Sequence, residues 1–426
     1  MTSPRTQQTG GPRMKLSNLW TLPKEHMPAL VVALIVAVVG PLFVASYSLG
    51  MGDPNPRNVP IGVVGDSMDA TAISRTLDDT GEQMFEVSEY PNLTVAREAM
   101  GHQRIFAIID PAAKPPTMWI SSASGASVAQ LLSQHQSSLS AVAGNDLQIV
   151  DAHPLAPHDP NGLVLFYLAL GGTILGFVGA IQTRLNANKM TLAADFGWDA
   201  VRSLMVALTM TLVIGPVLGL EVLPVLPVWL ILAATMFIAG AVYSFWRVTI
   251  GGRWALLPTW VTFVIIANPS SGGAVAPELL PPFYEFMGRW LPTGATVRAI
   301  RDVTYFPDAV HAEPFLVLGA WMVGSSILFG VVRVMRHGSG VIAPKTAAVP
   351  PVAPAPPQPD QAPAAQQDAV VPRPGEVGSP GSGEDQSASG ATEPPGSGED
   401  QSASGATEPP GSGEDQSTSG ATEPPR

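Results

Sequence analysis

The sequence predicts an α-helical integral membrane protein with six transmembrane helices in a 1+5 arrangement, a small extracytoplasmic α/β domain and a disordered C-terminal tail. Six apolar stretches, a polar block between the first and the second of them, and a repetitive tail carry that prediction. A hydrocarbon core about 30 Å thick needs about 20 apolar residues in a helix that satisfies its own backbone. ALVVALIVAVVGPLFVASYSL contains no charge, and neither do LVLFYLALGGTILGFVGAI, LMVALTMTLVIGPVLGL, VLPVWLILAATMFIAGAVYSF and FLVLGAWMVGSSILFGVV. The remaining stretch, WALLPTWVTFVIIA, is shorter, and its length also suits a re-entrant or interfacial segment. The predicted spans are 28–49, 162–181, 203–220, 224–246, 254–272 and 314–334.

Charge placement gives these spans a direction, because Lys and Arg beside short loops stay on the cytoplasmic side. The N-terminal tail (1–27) carries Arg5, Arg13, Lys15 and Lys24; later clusters are Arg184, Lys189 and Arg202, then Arg247 and Arg253, then Arg333 and Arg336. All four clusters share one side only if six segments cross. Both termini are then cytoplasmic, residues 50–160 lie outside, and the expected location is the plasma membrane of a bacterium. Small residues from Val44 to Ser46 resemble a signal-peptide cleavage site, but the long polar leader and long apolar run favour an uncleaved signal anchor.

Composition agrees, with 46% hydrophobic and 13% charged residues and a mean hydropathy of +0.23. The formal charge of -12 belongs mostly to the tail, where residues 338–426 contribute -9. Nothing indicates nucleic-acid binding; the expected surroundings are the lipid bilayer. With no cysteine, the chain has no disulfide, no thiolate catalysis and no Cys-based zinc or iron–sulfur site.

Residues 50–160 alternate strand and helix patterns. VPIGVV, MFEVSEY, IFAIID, TMWISSA and LQIVDAHPL read as strands, while DATAISRTLDD, NLTVAREAMGH and SVAQLLSQHQSSLSAVAG read as helices. A ferredoxin-like or split-βαβ domain is expected. Asn92-Leu93-Thr94 matches a glycosylation acceptor but reads better as a helix N-cap. After residue 338 a Pro/Ala-rich stretch leads to three tandem copies of GSGEDQSASGATEPP, the last differing only at Thr418. Such a unit has too little apolar surface to offset the entropy of ordering.

Chemistry requires titratable groups in a pocket, and no Asp, Glu, His, Lys or Arg lies inside the six apolar stretches. A proton-driven transporter normally needs intramembrane carboxylates. Their absence argues against proton antiport, intramembrane proteolysis and metal-dependent catalysis, so no catalytic residue, cofactor or metal site is predicted. Asp151, His153, His158 and Asp159 cluster in sequence, yet their spacing matches no familiar ligand pattern and they fall in a Pro-containing connector. No GxxxxGK[ST] loop is present, so any ATPase must sit on a separate subunit. Gly172 and Gly176 form a GxxxG, as do Gly215 and Gly219, which points to close helix packing or a homodimer interface, with hinges as the other reading. The link from Gln182 to Arg202, with Arg184, Lys189, Asp195, Trp198 and Arg202, reads as a short amphipathic helix at the interface, where an ATPase would dock in an exporter permease, or as a wet loop in any other membrane protein.

The loop 268–313 is more specific. Breakers Asn268, Pro269, Gly272 and Gly273 precede one amphipathic stretch, and Pro292 and Gly294 precede another that holds Arg298 and Arg301. Two short helices at the outer membrane surface are expected. NPSSGGAVAPELLP, WLPTGATVRAIRDVTYF and VAREAMGHQRIFAIID resemble the corresponding segments of the phage-infection-protein (Pip) and related membrane families, which belong with type-2 ATP-binding-cassette (ABC) exporter permeases. The resemblance covers residues 28–337 and implies a permease-like bundle that exports an amphiphilic, lipid-like or toxic compound; it implies no catalytic residues. The alternative is a non-transporting envelope protein whose external domain binds a partner, a wall component or a phage.

Overall fold

A computed structural model describes residues 26–341 except 53, 66–83, 145 and 188. The predicted helix at 69–79, the N-terminal tail and the repeat tail lie outside the described residues. In chain order the elements are α1 (Met27–Met51), β1 (Val59–Val64), β2 (Phe85–Tyr90), α2 (Leu93–Gly101), β3 (Ala107–Asp110), β4 (Thr117–Ile120), α3 (Ala126–Gln134), α4 (Gln136–Ala143) and β5 (Gln148–Asp151). Then come α5 (Val164–Asn186), α6 (Leu192–Val217), α7 (Val225–Ile250), α8 (Gly252–Ala267), α9 (Pro282–Trp290), α10 (Pro292–Tyr305) and α11 (Ala312–His337).

Five of these helices, α1, α5, α6, α7 and α11, are long and apolar enough to cross a membrane. The sixth apolar segment is α8, whose 16 residues give about 24 Å at 1.5 Å per residue. Its second half, Val261–Ala267, is wound as a π-helix, as is Val213–Val217 at the end of α6. Both follow or contain a proline, Pro258 and Pro216, whose missing N–H breaks the α-helical ladder. Gly251, at φ +92°, turns the chain from α7 into α8.

Helix α7 is the centre of the bundle: α5, α6, α8, α10 and α11 all pack on it. The Gly172/Gly176 pair explains the closest approach. A Cβ at Gly176 would stand 2.5 Å from the Met236 carbonyl oxygen and 2.7 Å from Met236 Cα, so α5 and α7 meet backbone to backbone. Gly215 has open space around it, and Gly219 sits at φ +78° beside His158, so that second pair is not a packing motif. Helix α1 stands apart with 6% of its apolar window buried, and it touches the bundle near its C-terminal end. There Ser46 donates to the Ile265 carbonyl and hydrogen-bonds the Tyr284 hydroxyl at 2.9 Å.

The five-stranded sheet runs β2-β1-β3-β4-β5. Only the β3–β4 pair is antiparallel. β2 and β3, joined by α2, flank β1, which is the split-βαβ feature; a ferredoxin-like sheet, four-stranded and antiparallel, is not what forms. The difference arises because β1 pairs in parallel with both neighbours, as a strand reading VPIGVV and buried on both faces can do. Asn92 is the N-cap of α2, its side chain accepting from the Val95 N–H at 3.0 Å. One sheet face packs on α2 through Ala96, Met100, Ile105 and Ile108. The other packs on α3 and α4, and its core also takes in Val275, Ala276, Leu279, Leu280 and Tyr284, which follow α8.

Replacing Gly176 by Ala is expected to lower the melting temperature of the detergent-solubilised protein, by the equivalent of about 1–3 kcal/mol of overpacking. Gly215→Ala is expected to leave it unchanged or raise it, because its Cβ meets nothing within 4 Å.

Candidate functional site

The segment between α8 and α11 does not lie on a surface as two short helices. NPSSGG is buried: Asn268 is 0% exposed, Ser270 1% and Ser271 3%. The Asn268 amide approaches Tyr47 without a well-formed hydrogen bond. Pro269 packs toward Gly50 of α1, Gly272 adopts φ +71°, and Gly273 leaves no room for a Cβ, which would come 2.9 Å from Phe166 Cβ. α9 exposes Phe283, Phe286 and Trp290. α10 does not. It buries ten residues, including Pro292, Thr293, Gly294 and Thr296, against α5, α7 and α11. Thr296 hydrogen-bonds Thr235 of α7 at 2.6 Å, and Thr293 lies 3.5 Å from Thr173 of α5.

Two glycines let this helix enter. A Cβ on Gly288 would fall 1.8 Å from the Ser270 oxygen, and one on Gly294 would fall 2.0 Å from the Gly288 oxygen. Three backbone layers are thus stacked without side chains between them. Amphipathicity suggested an interfacial helix, but ten buried residues, with Thr293 and Thr296 against hydroxyls of α5 and α7, make α10 an inserted one.

Above α10, toward the sheet, two adjoining cavities of about 430 Å³ each share Pro277, Arg298 and Glu313. Arg298 donates to the Gly288 and Arg289 carbonyls at 3.0 and 2.7 Å, and Arg301 to the Gly272 carbonyl at 2.9 Å. Neither has a carboxylate within salt-bridge distance among the described residues, and burial pushes both guanidinium pKa values down. Glu278 Oε2 is shut off from solvent with no hydrogen-bond partner among the described residues, and burial pushes this carboxyl pKa up. Asp302, 2% exposed, is fully engaged: Oδ1 accepts from Gln103 at 2.7 Å, and Oδ2 accepts from the His311 backbone N–H at 2.9 Å. Gln103, held at φ +54° after α2, therefore ties the α/β domain to α10.

At the opposite end of the bundle lies a second polar cluster. Asp199 accepts two bonds from Arg184, at 2.9 and 2.7 Å, and one from Arg202 at 2.7 Å. Asp195 lies 3.9 Å from Arg184, and Arg247 and Arg333 are close enough to act on it electrostatically. Arg202 threads between helices: its Nε would be 2.6 Å from a Cβ on Gly179, and it donates to Thr183 Oγ1 and the Gly176 carbonyl. Arg333, wholly buried, donates to the Gly338 and Gly340 carbonyls at 2.7 and 2.8 Å.

This cluster corrects the expectation of spans empty of charge. α6 begins at Leu192 rather than at 203, so Asp195, Asp199 and Arg202 belong to a helix packed on α7, and Arg202 sits about 15 Å from its start. The missing-carboxylate argument against proton coupling therefore loses its footing. It also redraws the predicted docking link. Arg184 and Asp195 are buried and Arg202 is largely so, while Lys189 and Trp198 face outward, Trp198 at 59% exposure. Asp199 was not singled out from the sequence; its signal was Asp195 and Asp199 four apart with Arg202 three further on, which puts all three on one helix face.

A third feature faces sideways. A cavity of about 410 Å³ opens between α7, α8 and α11, lined by Val242, Phe245, Trp246, Thr262, Trp321 and Leu328 among others. The Asp151–Asp159 residues serve separate local roles: Asp151 accepts from the Ser122 and His153 backbones, His153 packs on Phe306, His158 lies by Gly219, and Asp159 caps the start of α5 through Leu163 and Val164. Among the described residues no three His, Asp or Glu side chains converge as metal ligands.

Compared with known protein families, curated proteins and solved structures, the chain gives no match.

Asp199→Ala leaves two buried arginines without their carboxylate and is expected to cost about 3–5 kcal/mol. Thermal unfolding of the detergent-solubilised protein reads this as a large drop in melting temperature, whereas Lys189→Ala at the exposed link leaves it unchanged.

Proposed function

We propose that the protein is a permease-like membrane protein of the type-2 ABC exporter or phage-infection-protein class. It moves an amphiphilic, lipid-like or toxic compound across the plasma membrane of a bacterium, with any ATPase on a separate subunit. The single observation that carries this reading is the apolar cavity of about 410 Å³ between α7, α8 and α11, the last of which also lines the polar cavities under the α/β domain. A mostly apolar hollow with a few polar groups at one end is the shape of an amphiphile site.

The six-span arrangement belongs to the same proposal. α7 ends at the arginine cluster and α11 begins near the α/β domain, so the chain between them must traverse the bundle, and α8 is the element available to do so. Its short reach is compatible with a crossing where the flanking segment 268–273 is buried in protein. The positive-inside rule makes the arginine-rich end cytoplasmic and the α/β domain extracytoplasmic. Helix α1, almost bare along its length, is available to lipid or to a second copy of the chain.

One observation favours the alternative of a non-transporting envelope protein whose external domain binds a partner. Arg184, Asp195 and Arg202 are committed to an internal ion-pair network, which leaves Lys189 and Trp198 as the exposed part of the predicted docking link.

Affinity purification of the full chain from native membranes, followed by mass spectrometry, separates the two. The permease reading expects an ATPase that is lost when Lys189 and Trp198 are replaced by Glu and Ala. Recovery of envelope partners alone, dependent on the α/β domain, contradicts it.

A further inference from the structure

The lateral groove and the polar cleft are both lined by α11. Glu313 lines the cleft, and Ala320, Trp321, Gly324 and Leu328 line the groove, all on α11. Trp321 Nε1 donates to the Trp290 carbonyl at 2.8 Å, directly beside Arg289, whose own carbonyl accepts from Arg298. Ala320 lies about 10 Å along α11 from Glu313, and the stretch from Ala320 to Leu328 is about 12 Å long. That is close to one leaflet's share of a 30 Å hydrocarbon core.

The cleft has the charges of a divided head group. Arg289 and Glu313 neutralise each other at 2.9 Å. Arg298 uses two of its donors on backbone carbonyls and has no carboxylate partner among the described residues, while Glu285, exposed on the same wall, has no cationic one. A guanidinium with spare donors takes a phosphate, and a free carboxylate takes an amine. Phe283, Phe286 and Trp290 are exposed on the helix that carries Glu285, as residues at head-group depth commonly are.

We propose that groove and cleft together bind one phospholipid-like amphiphile whose head carries both a phosphate and an amine. Its phosphate sits at Arg298, its amine at Glu285 and its acyl chain along α11 against Trp321 and Gly324. This assignment rests on the permease reading and names its substrate class.

Native mass spectrometry of the full-length protein in detergent tests it, after incubation with equal amounts of phosphatidylethanolamine, phosphatidylglycerol and diacylglycerol of identical chains. The expected result is one phosphatidylethanolamine retained, with roughly tenfold less of the other two, a difference within reach of one charged contact. Gly324→Leu fills the groove without a clash, since nothing lies within 4 Å of its Cβ position, and is expected to reduce retention of all three. Glu285→Gln is expected to erase the preference for phosphatidylethanolamine over phosphatidylglycerol. Equal retention of the three lipids, or retention indifferent to Gly324→Leu at unchanged melting temperature, overturns the proposal. Amphiphile transport in vesicles without this binding would refute the site and spare the permease reading; binding without transport would do the reverse.

Discussion

Residues 275–284 belong to two structures at once. Val275, Ala276, Leu279, Leu280 and Tyr284 complete the core of the α/β domain, and the same stretch delivers the chain into α9 and the inserted helix α10. Neither part can shift without the other: the domain loses apolar burial, and α10 loses the lead-in that aims it between α5 and α7. The Ser127 hydroxyl accepts the Ala276 N–H at 2.9 Å, and Gln103 holds Asp302, so polar contacts on either side reinforce the shared core. Whatever the bundle does is therefore mechanically felt by the domain above it.

The bundle places its polar groups at its two ends and keeps its flanks apolar. At one end, four arginines surround two aspartates; at the other, arginines and carboxylates ring a cleft with two cationic groups bonded only to backbone. Charges withdrawn from water cost several kcal/mol each unless paired and hydrogen-bonded. Asp199 meets that demand with three N–H donors. Arg298 is bonded only to backbone carbonyls, and it is on this unpaired guanidinium that the proposed binding site rests.

The long apolar helices were legible because a lipid-facing helix needs an unbroken apolar run, and such a run can be read directly. The five strands and α2 of the α/β domain were legible for a similar reason, whereas the single helix expected over 127–144 forms as α3 and α4, and Asn92 was readable as a cap because only its side chain and the following turn are involved. The sheet order was not, since parallel pairing of β1 on both sides depends on contacts far apart in sequence. The start of α6 was hidden because Asp195, Asp199 and Arg202 look like a wet loop until α5 and α7 supply partners. α10 misled for the opposite reason: its threonines read as a polar face, but Thr293 and Thr296 meet hydroxyls of α5 and α7 inside the bundle. Within the candidate site, Arg298, Arg301 and the breakers were visible as a motif; Asp302, Gln103 and the aromatic groove were not, because nothing local marks them.

Insertion of α10 is the claim from which the cleft and the tie between Gln103 and Asp302 follow. The absence of native cysteine makes it directly measurable: single cysteines at Thr296 and at Glu285 can be challenged with a membrane-impermeant maleimide in intact vesicles of defined orientation. The account predicts that the Glu285 position labels from the α/β-domain side and that Thr296, wholly buried against α7, labels from neither side until the protein is denatured. Equal labelling of both from one side would show α10 lying on the surface and would contradict the account.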